Sequence, residues 1–370
     1  MQYRKFGKTG VEVSALGFGA MRLPVTDPTD NKSIDEKEAI RMIRNAIDHG
    51  VNYVDTAYPY HGGLSEVLVG KAMQDGYREK AMIATKLPVW MVKEEADFDR
   101  MLNEQLEKLQ TDYVDFYLLH ALNKDRWNTV EDCHLLKKMK EAKDDGRIRF
   151  AGFSFHDDLE TFKKIVDSYD WDFCQIQFNY INLDYQAGME GLRYAASKGL
   201  AVVIMEPLLG GKLAVPPVQV QKALPDTKTP VEWALDFLWN LPEVSLILSG
   251  MSTMQQTQDN LTYADRSHIG MLSEDDVEML KKAKHIYDTM AIVPCTKCAY
   301  CMPCPFGLDI PKTFEAYNQT ATKGMDIAKE LYATLEKKAD ACKKCHHCEK
   351  ECPQNIPISQ VMTDIVKVFS

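Results

Sequence analysis

Several features that mark other protein classes are missing from this sequence of 370 residues. No segment approaches the roughly 20 consecutive apolar residues that a membrane-spanning helix needs, and the first residues lack the apolar run of a signal peptide. The chain carries 44 lysines and arginines against 54 aspartates and glutamates, a formal net charge of −10, with no long basic block. We therefore expect a cytoplasmic protein that binds neither membranes nor nucleic acid.

A GxGxxG turn is also absent, which argues against a Rossmann domain. From Val11 to about Ser252, short β-branched segments alternate instead with amphipathic helical segments. The eight strand candidates are VEVSALGFG, NYVDTA, MIATKLP, VDFYLLHAL, IRFAGFSF, FCQIQFNY, AVVIMEPL and VSLILSGMS. Eight strands, each followed by a helix, over about 250 residues predict an α/β fold of the (β/α)8 TIM-barrel type. The segments QYRKF, GKTG and VEVSA before it predict a hairpin that closes the bottom of the barrel.

Cysteine is scarce in the barrel segment but abundant near the C-terminus, where eight of the ten cysteines fall between Cys295 and Cys352. In a reducing compartment such clustering indicates metal ligands rather than disulfides. The composition changes between about residues 270 and 292, and the residues between Cys304 and Cys342 have helical composition. We therefore predict a barrel over 1–270, a connecting helix over 271–292, and a small, mainly α, two-cluster ferredoxin-like domain over 293–370.

The cysteines form two runs, Cys295-x2-Cys298-x2-Cys301-x2-Cys304-Pro305 and Cys342-x2-Cys345-x2-Cys348-x3-Cys352-Pro353. In two-cluster ferredoxins the cysteine before proline ligates the other cluster. This rule predicts one 4Fe-4S cluster on Cys295, Cys298, Cys301 and Cys352, and a second on Cys342, Cys345, Cys348 and Cys304. The first run departs from the pattern, with x2 where ferredoxins have x3 before the last cysteine. Structural zinc is the alternative, but it would leave the third cysteine of each run without a role.

Four polar residues stand at or just after the ends of neighbouring strand candidates: Asp55, Tyr60, Lys86 and His120. Chemistry in such barrels lies at the C-terminal ends of the strands, where the loops converge. Each residue alone has an ordinary structural interpretation. Taken together, a buried lysine requires a carboxylate, and a tyrosine beside an ammonium group becomes a better proton donor. We predict that Asp55, Lys86 and Tyr60 form a proton-donating chain and that His120 orients a carbonyl oxygen.

At this point the chain resembles the aldo-keto reductase family, in its branch with a C-terminal ferredoxin-like extension. The resemblance rests on RKFGKTGVEVSALGFGAMRL, DTAYPYHGG, ATKLP, YLLHAL, AGFSFHD, QIQFN, MEPLLGG and SGMSTMQQTQDNL, followed by the cysteine motifs. It implies that Tyr60 donates a proton while a nicotinamide delivers hydride to the carbonyl of a small molecule. The cofactor contacts implied in the same way are Gly19, Met21, Ser154, Gln175, Met205, Pro207, Leu208, Gly250, Ser252, Gln256 and Asn260.

Three departures from the family pattern bear on the cofactor. Phe155 follows Ser154 where the family has asparagine, and Met205 stands where an aromatic ring stacks on the nicotinamide. Gln256 stands where many members carry an arginine for the 2′-phosphate, which weakens the case for NADP(H) over NAD(H). The lost ring and amide also leave space in which a flavin could bind instead of a nicotinamide.

Three functional hypotheses follow, because clusters pass single electrons whereas a nicotinamide transfers two at once. The first, which we favour, is a nicotinamide-dependent carbonyl reductase whose clusters are structural or regulatory. The second is a flavin-containing reductase that ferredoxin or another electron carrier feeds through the clusters, again with Tyr60 as proton donor. The third is a non-catalytic electron-transfer or sensing module, and the full set of four polar residues argues against it. Cluster chemistry also predicts an oxygen-sensitive protein suited to anaerobic conditions.

Overall fold

The computed structural model describes residues 1–290, 292–322 and 324–369. Its central feature confirms the predicted barrel, because eight parallel strands close on themselves with each strand bonded to the next. The barrel strands are β3 (Leu16–Gly19), β4 (Tyr53–Asp55), β5 (Met82–Leu87), β6 (Val114–Leu122), β7 (Ile148–Phe155), β8 (Phe173–Gln177), β9 (Ala201–Met205) and β10 (Leu246–Ser249).

The predicted hairpin precedes the barrel and consists of β1 (Tyr3–Lys5) and β2 (Glu12–Ser14), which pair antiparallel. The first strand candidate, VEVSALGFG, was therefore wrong as a single element: its first half belongs to the hairpin and its second half to the barrel. Phe6, in the hairpin loop, is fully buried, with its ring centre 4.8 Å from that of Phe116 and 5.3 Å from that of Phe173. The hairpin thus closes the barrel bottom through one aromatic side chain.

Amphipathic helices cover the outside of the barrel. They are α1 (Glu36–Asp48), α2 (Ser65–Ala72), α3 (Ala96–Leu109), α4 (Lys124–Asp132), α5 (Leu135–Asp144), α6 (Leu159–Asp167), α7 (Gly188–Ser197), α9 (Pro230–Trp239) and α10 (Met254–Asp265). The short helix α8 (Val218–Gln221) comes between β9 and α9 in the sequence. In α1 the buried residues Ala39, Met42, Ile43 and Ala46 recur at the spacing of one helix face. No helix of the described residues is both long and apolar enough to span a bilayer.

The strand period of two places the site. Alternate residues such as Tyr53, Ala84 and Leu118 fill the barrel interior with apolar side chains. Two residues further along the same strands come Asp55, Lys86 and His120. Because side chains two apart on a strand share a face, these polar groups also point inward, at the C-terminal end of the barrel. The inward faces of these strands are therefore apolar in the middle of the barrel and polar at its C-terminal end.

The chain divides into two compact units, Met1–Pro207 with Leu235–Leu272, and Leu208–Ala234 with Ser273–Ser370. The end of the first unit lies close to the predicted boundary at 270. The insertion Leu208–Ala234 was not anticipated: it groups with the C-terminal residues, and α8 contacts α11 (Glu274–Met290). This grouping could not be predicted, because a contact between distant chain segments leaves no local pattern in the sequence.

The C-terminal part of the second unit is mainly α, as predicted. Its described residues contain α11 and then α12 (Ile310–Thr322), α13 (Met325–Ala333), α14 (His347–Lys350) and α15 (Ile358–Phe369), without a strand. Its small core consists of buried apolar residues, with six of the eight clustered cysteines packed against it. The buried members are Val293, Leu308, Ile310, Phe314, Ala339, Ile356, Ile358, Met362 and Ile365. A core this small indicates that bound clusters contribute to stability.

Candidate active site

Lys86 forms a fully buried ion pair with Asp55 at the barrel mouth. The Lys86 Nζ donates to the two carboxylate oxygens of Asp55 at 2.7 and 2.8 Å, and to the Thr56 carbonyl at 2.7 Å. These acceptors occupy all three donors of the ammonium group. Burial lowers the pKa of Lys86, and the Asp55 carboxylate acts in the opposite direction. The pair therefore fixes the amino group of Lys86 at a defined place inside the barrel.

Tyr60 and His120 complete the predicted group of four, which the structure brings together. The Lys86 Nζ lies 5.0 Å from the centre of the Tyr60 ring, and the ring centres of Tyr60 and His120 are 6.0 Å apart and nearly perpendicular. Burial, aided by the positive charges of Lys86 and Arg126, holds the pKa of His120 well below its usual value. The imidazole is therefore neutral at ordinary pH and acts as a polar group rather than as a cation.

A buried hydrogen-bond network holds the backbone of Lys86 from outside the barrel. Gln105 donates to the Lys86 carbonyl at 3.0 Å and to the Glu66 carboxylate at 2.6 Å. Thr85 also donates to Glu66 at 2.6 Å, while the Tyr117 hydroxyl donates to the Gln105 amide oxygen at 2.8 Å. Every one of these side chains is buried. The network thus anchors β5 at Lys86.

His61 was missed in the sequence analysis, although it directly follows Tyr60. Its backbone is left-handed, with φ of 52°, and its side chain is buried. The Nε2 atom accepts from the Leu23 N–H at 3.2 Å, and Nδ1 contacts the Asn31 carbonyl. These contacts require a neutral imidazole with its proton on Nδ1. His61 therefore ties the loop that carries Tyr60 to the segment after β3.

Gln175 and Gln177 place two amides on the inward face of β8. Both are buried, and neither the Gln175 Oε1 nor either amide atom of Gln177 has a hydrogen-bond partner among the described residues. The Gln175 Nε2 contacts the Met205 sulfur at 3.5 Å, and the Ser154 hydroxyl accepts from the Ala121 N–H at 2.7 Å. Buried amides without hydrogen-bond partners cost free energy, so these atoms are suited to bind a polar group of a ligand, such as the carboxamide of a ring. Gln177 was missed, although the strand period pointed to it.

The loop after β10 is held by its own side chains. The Gln256 Oε1 accepts from the Ser252 N–H at 2.8 Å, and the Ser252 hydroxyl donates to the Arg22 carbonyl at 2.8 Å. Asn260 is buried and donates to the Ser249 hydroxyl at 3.0 Å. Gln256 and Asn260 therefore shape this loop, and neither adds a positive charge to it.

The other predicted cofactor contacts fall around the ends of the strands. Gly19 is the last residue of β3, Met21 lies in the following 3-10 turn, Gly250 follows β10, Pro207 follows β9, and Leu208 is the first residue of the second compact unit. An added Cβ at Gly19 would lie 3.2 Å from the Ser249 carbonyl oxygen. This close approach of the backbones of β3 and β10 explains why glycine stands there.

The eight clustered cysteines surround two cavities in the pattern that the ferredoxin rule predicted. One cavity is lined by Cys295, Cys298, Cys301 and Cys352, and the other by Cys304, Cys342, Cys345 and Cys348. Ile310 and Ile358 line both cavities. Each cavity therefore combines three cysteines of one run with the last cysteine of the other.

These cysteine sets fit cubane clusters better than single ions. Among residues 1–290, 292–322 and 324–369, no three side chains of the metal-binding types are grouped closely enough to hold one metal ion. A 4Fe-4S cluster instead needs four thiolates spaced around an open volume. The four cysteines that line each cavity supply the donors that such a cluster requires.

Comparison with known proteins agrees with this arrangement. Residues 15–285 match the model of the aldo/keto reductase family. The chain belongs to the aldo/keto reductase family. Residues 291–356 match a 4Fe-4S dicluster domain, so this aldo/keto reductase carries an iron-sulfur domain that follows the barrel in the sequence.

Individual relatives match between about half and three quarters of the chain. An L-galactose dehydrogenase of Arabidopsis thaliana is 29% identical over 318 residues, which span 78% of this chain and 95% of that protein. The aldo-keto reductase YhdN of Bacillus subtilis is 34% identical over 176 residues, or 45% of this chain and 51% of that protein. The solved structure of aldo-keto reductase AKR11C1 from Bacillus halodurans, in its holo form, has a TM-score of 0.66 at 24% identity and covers 76% of this chain and 96% of its own. The last likeness concerns the fold.

The buried histidines of this aldo/keto reductase predict a pH-dependent stability. Burial lowers the pKa of His156 from 6.5 to about 4. Between these values the unfolded chain binds a proton that the native imidazole does not, so stability is full above pH 6.5 and falls as the pH drops towards 4. We expect His156→Gln to weaken this dependence by about 1 kcal/mol between about pH 7.5 and pH 5.5, measured from thermal midpoints. The exposed His268→Gln is the control; an unchanged dependence in His156→Gln would contradict the prediction.

Proposed function

We propose that the barrel reduces the carbonyl group of a small molecule, with Tyr60 as the proton donor. The observation that carries the proposal is the Lys86 ammonium, which lies 5.0 Å from the centre of the Tyr60 ring and is held by Asp55. A positive charge at that distance stabilises the phenolate that remains when Tyr60 gives up its proton. Neutral His120 beside Tyr60 can donate an N–H to the same carbonyl oxygen.

A bound nicotinamide would supply the hydride. The chain's own residues bind its ring and direct the proton. The buried Gln175 Oε1, which has no partner among the described residues, suits the N–H of a ring carboxamide. Tyr60 then transfers its proton to the substrate oxygen, while Asp55 keeps Lys86 charged throughout. The burial of these four side chains excludes bulk water from the proton transfer.

Gln256 bears on the choice between NADP(H) and NAD(H). Its amide oxygen is bonded to the Ser252 backbone, and the amide carries no charge that could pair with a 2′-phosphate. We therefore propose that the site accepts NAD(H) at least as well as NADP(H).

The dicluster domain favours a second candidate function. A domain that carries one-electron centres is expected to exchange electrons with a carrier protein, and a flavin at the barrel mouth would convert single electrons into pairs. Gln175 and Gln177 would suit the polar edge of a flavin ring as well as a carboxamide. Tyr60 keeps its role as proton donor in this version.

The two candidates are separated by an anaerobic cofactor inventory combined with isotope transfer. The first candidate predicts iron and sulfide without flavin, and transfer of deuterium from labelled NADH or NADPH to the alcohol carbon formed from nitrobenzaldehyde. Phenanthrenequinone is the second probe and reports turnover only. Flavin released by acid, together with turnover driven by a reduced carrier and not by NADH or NADPH, would establish the second. A protein that reduces neither probe with either electron source would contradict carbonyl reduction altogether.

A further inference from the structure

The two sets of cysteines differ in the exposure of the chain segments that carry them. A continuous exposed segment of five residues, 343–347, lies over the cavity of Cys304, Cys342, Cys345 and Cys348, and Cys345 is itself exposed. Exposed Phe306 lines the same cavity. In contrast, none of the four cysteines around the other cavity is exposed. We call the first the outer cavity and the second the inner cavity.

The charges around the two cavities differ as well. Lys343, Lys344 and His346 line the outer cavity, whereas the inner cavity has no charged residue among its lining residues. Lys337 lies near the same cavity: an added Cβ at Gly307 would be 3.7 Å from its side chain, and the preceding residue, Phe306, lines the cavity. Segment 337–350 carries five lysines against one aspartate and one glutamate. Glu336 and Glu351 border this segment, so its positive charge is local to the lysines themselves.

Three of these lysines have no acidic partner within the part of the chain that the structure describes. Lys337 and the pair Lys343 and Lys344 form no ion pair there, although most lysines on the barrel helices do, such as Lys163 with Glu190. An unbalanced positive rim is not needed for folding, because it adds repulsion among its own members. Its charge is available to an external partner instead.

We propose that Lys337, Lys343 and Lys344, which we call the lysine rim, form the docking surface for an acidic one-electron carrier protein of the ferredoxin class. The proposal rests on the second candidate function, in which electrons reach the barrel through the dicluster domain. The carrier is oxidised by one electron at each encounter, and the cluster held by Cys304, Cys342, Cys345 and Cys348 is reduced by one electron without a proton transfer.

The direction of transfer inside the domain follows from the same asymmetry. Ile310 and Ile358 line both cavities, so the two cysteine sets are separated by single apolar side chains. A carrier on the lysine rim reaches the outer cavity first, and the uncharged inner cavity receives the electron next. Opposite charges accelerate such encounters and orient the partners, while Phe306 supplies an apolar contact within the rim.

The test compares Lys343→Glu/Lys344→Glu with the control Lys5→Glu/Lys37→Glu in the anaerobic protein with its clusters loaded. The control makes the same change in charge at two exposed lysines of the barrel unit, one on β1 and one on α1. Binding of an isotope-labelled acidic plant-type ferredoxin is titrated by NMR, and cluster reduction by the same reduced ferredoxin is followed by stopped-flow absorbance. Both are measured at low and at high ionic strength.

We expect the rim variant to bind at least about tenfold more weakly at low salt and to be reduced about 10- to 100-fold more slowly. The wild-type rate should fall with salt, and the variant rate should not. The control should stay within about twofold of wild type, since its charges lie outside the rim. Equal affinity and equal salt dependence in wild type and rim variant would overturn the proposal.

Iron content and reduction by dithionite show whether the rim variant keeps its clusters. If it loses them, Lys337→Glu repeats the test outside the cysteine motif. The result is independent of turnover. If the rim directs cluster reduction but the reduced protein leaves the probe carbonyls unchanged, the docking surface stands and the second candidate function fails. If turnover occurs but the rim variants behave as wild type, the second candidate function stands and the docking surface fails.

Discussion

Replacing Tyr60 by phenylalanine is expected to lower kcat for carbonyl reduction by about 10²- to 10⁴-fold, the usual contribution of a positioned proton donor. The substitution removes only the hydroxyl, so the ring keeps its contacts with Lys86 and His120. KM should change little, because the lost interaction develops in the transition state. Turnover of nitrobenzaldehyde or phenanthrenequinone, with the electron source identified by the cofactor inventory, measures the effect.

Tyr58 provides a matched control for this experiment. It lies two residues earlier in the same loop, and its hydroxyl lies 3.1 and 3.0 Å from the carboxylate oxygens of Glu104 on α3. Tyr58→Phe removes the same atom from a residue outside the catalytic group and should retain nearly full activity. Equal activities of Tyr60→Phe and wild type would remove Tyr60 from the mechanism, and an equal loss in both variants would show that the hydroxyl acts on the loop rather than on the proton.

Replacing cysteine ligands is expected to lower the iron content and the thermal stability of the C-terminal domain. Two 4Fe-4S clusters contain about eight iron atoms. Cys301→Ala in the inner cavity and Cys345→Ala in the outer cavity should each remove or degrade one cluster, and the iron content should fall accordingly. Because the apolar core of the domain is small and packs against the cysteines, its thermal stability should fall as well. Cys133→Ala, in the barrel unit, should leave the iron content unchanged.

Pairs of substitutions test which cysteines share a cluster. Cys304→Ala/Cys345→Ala changes two ligands of the outer cavity, so about four irons and one intact 4Fe-4S signal in electron paramagnetic resonance should remain. Cys304→Ala/Cys301→Ala changes one ligand in each cavity, so neither signal should remain intact. The reverse outcome would assign Cys304 to the cluster of its own run. This comparison is informative because the first run departs from the ferredoxin spacing.

Much of the barrel and the arrangement of the four polar residues could be predicted from the sequence. The period of two along a strand and the loop length after it are local properties, and they put Asp55, Lys86 and His120 on inward faces at one end of the barrel. The pairing of cysteine runs also followed from spacing, because a tight loop holds three ligands and leaves the fourth to the other run.

Other parts of the site depend on contacts between residues that are distant in sequence. The Gln105 bond to the Lys86 carbonyl and the His61 bond to Leu23 each join separate elements, and no local period marks them. Gln256 is a further example: its position in the sequence predicted a cofactor contact, and only the structure shows that its amide oxygen accepts from the loop backbone.

The sequence by itself determined the alternation of strands and helices, the inward face of each strand and the composition of each cysteine run, since these follow from backbone geometry and chain spacing. Only the tertiary structure decided that the hairpin splits the first strand candidate, that Leu208–Ala234 groups with the C-terminal residues, and that one cysteine cavity has a charged rim while the other has none. The physical reason is that burial and charge density are sums over segments that only folding brings together.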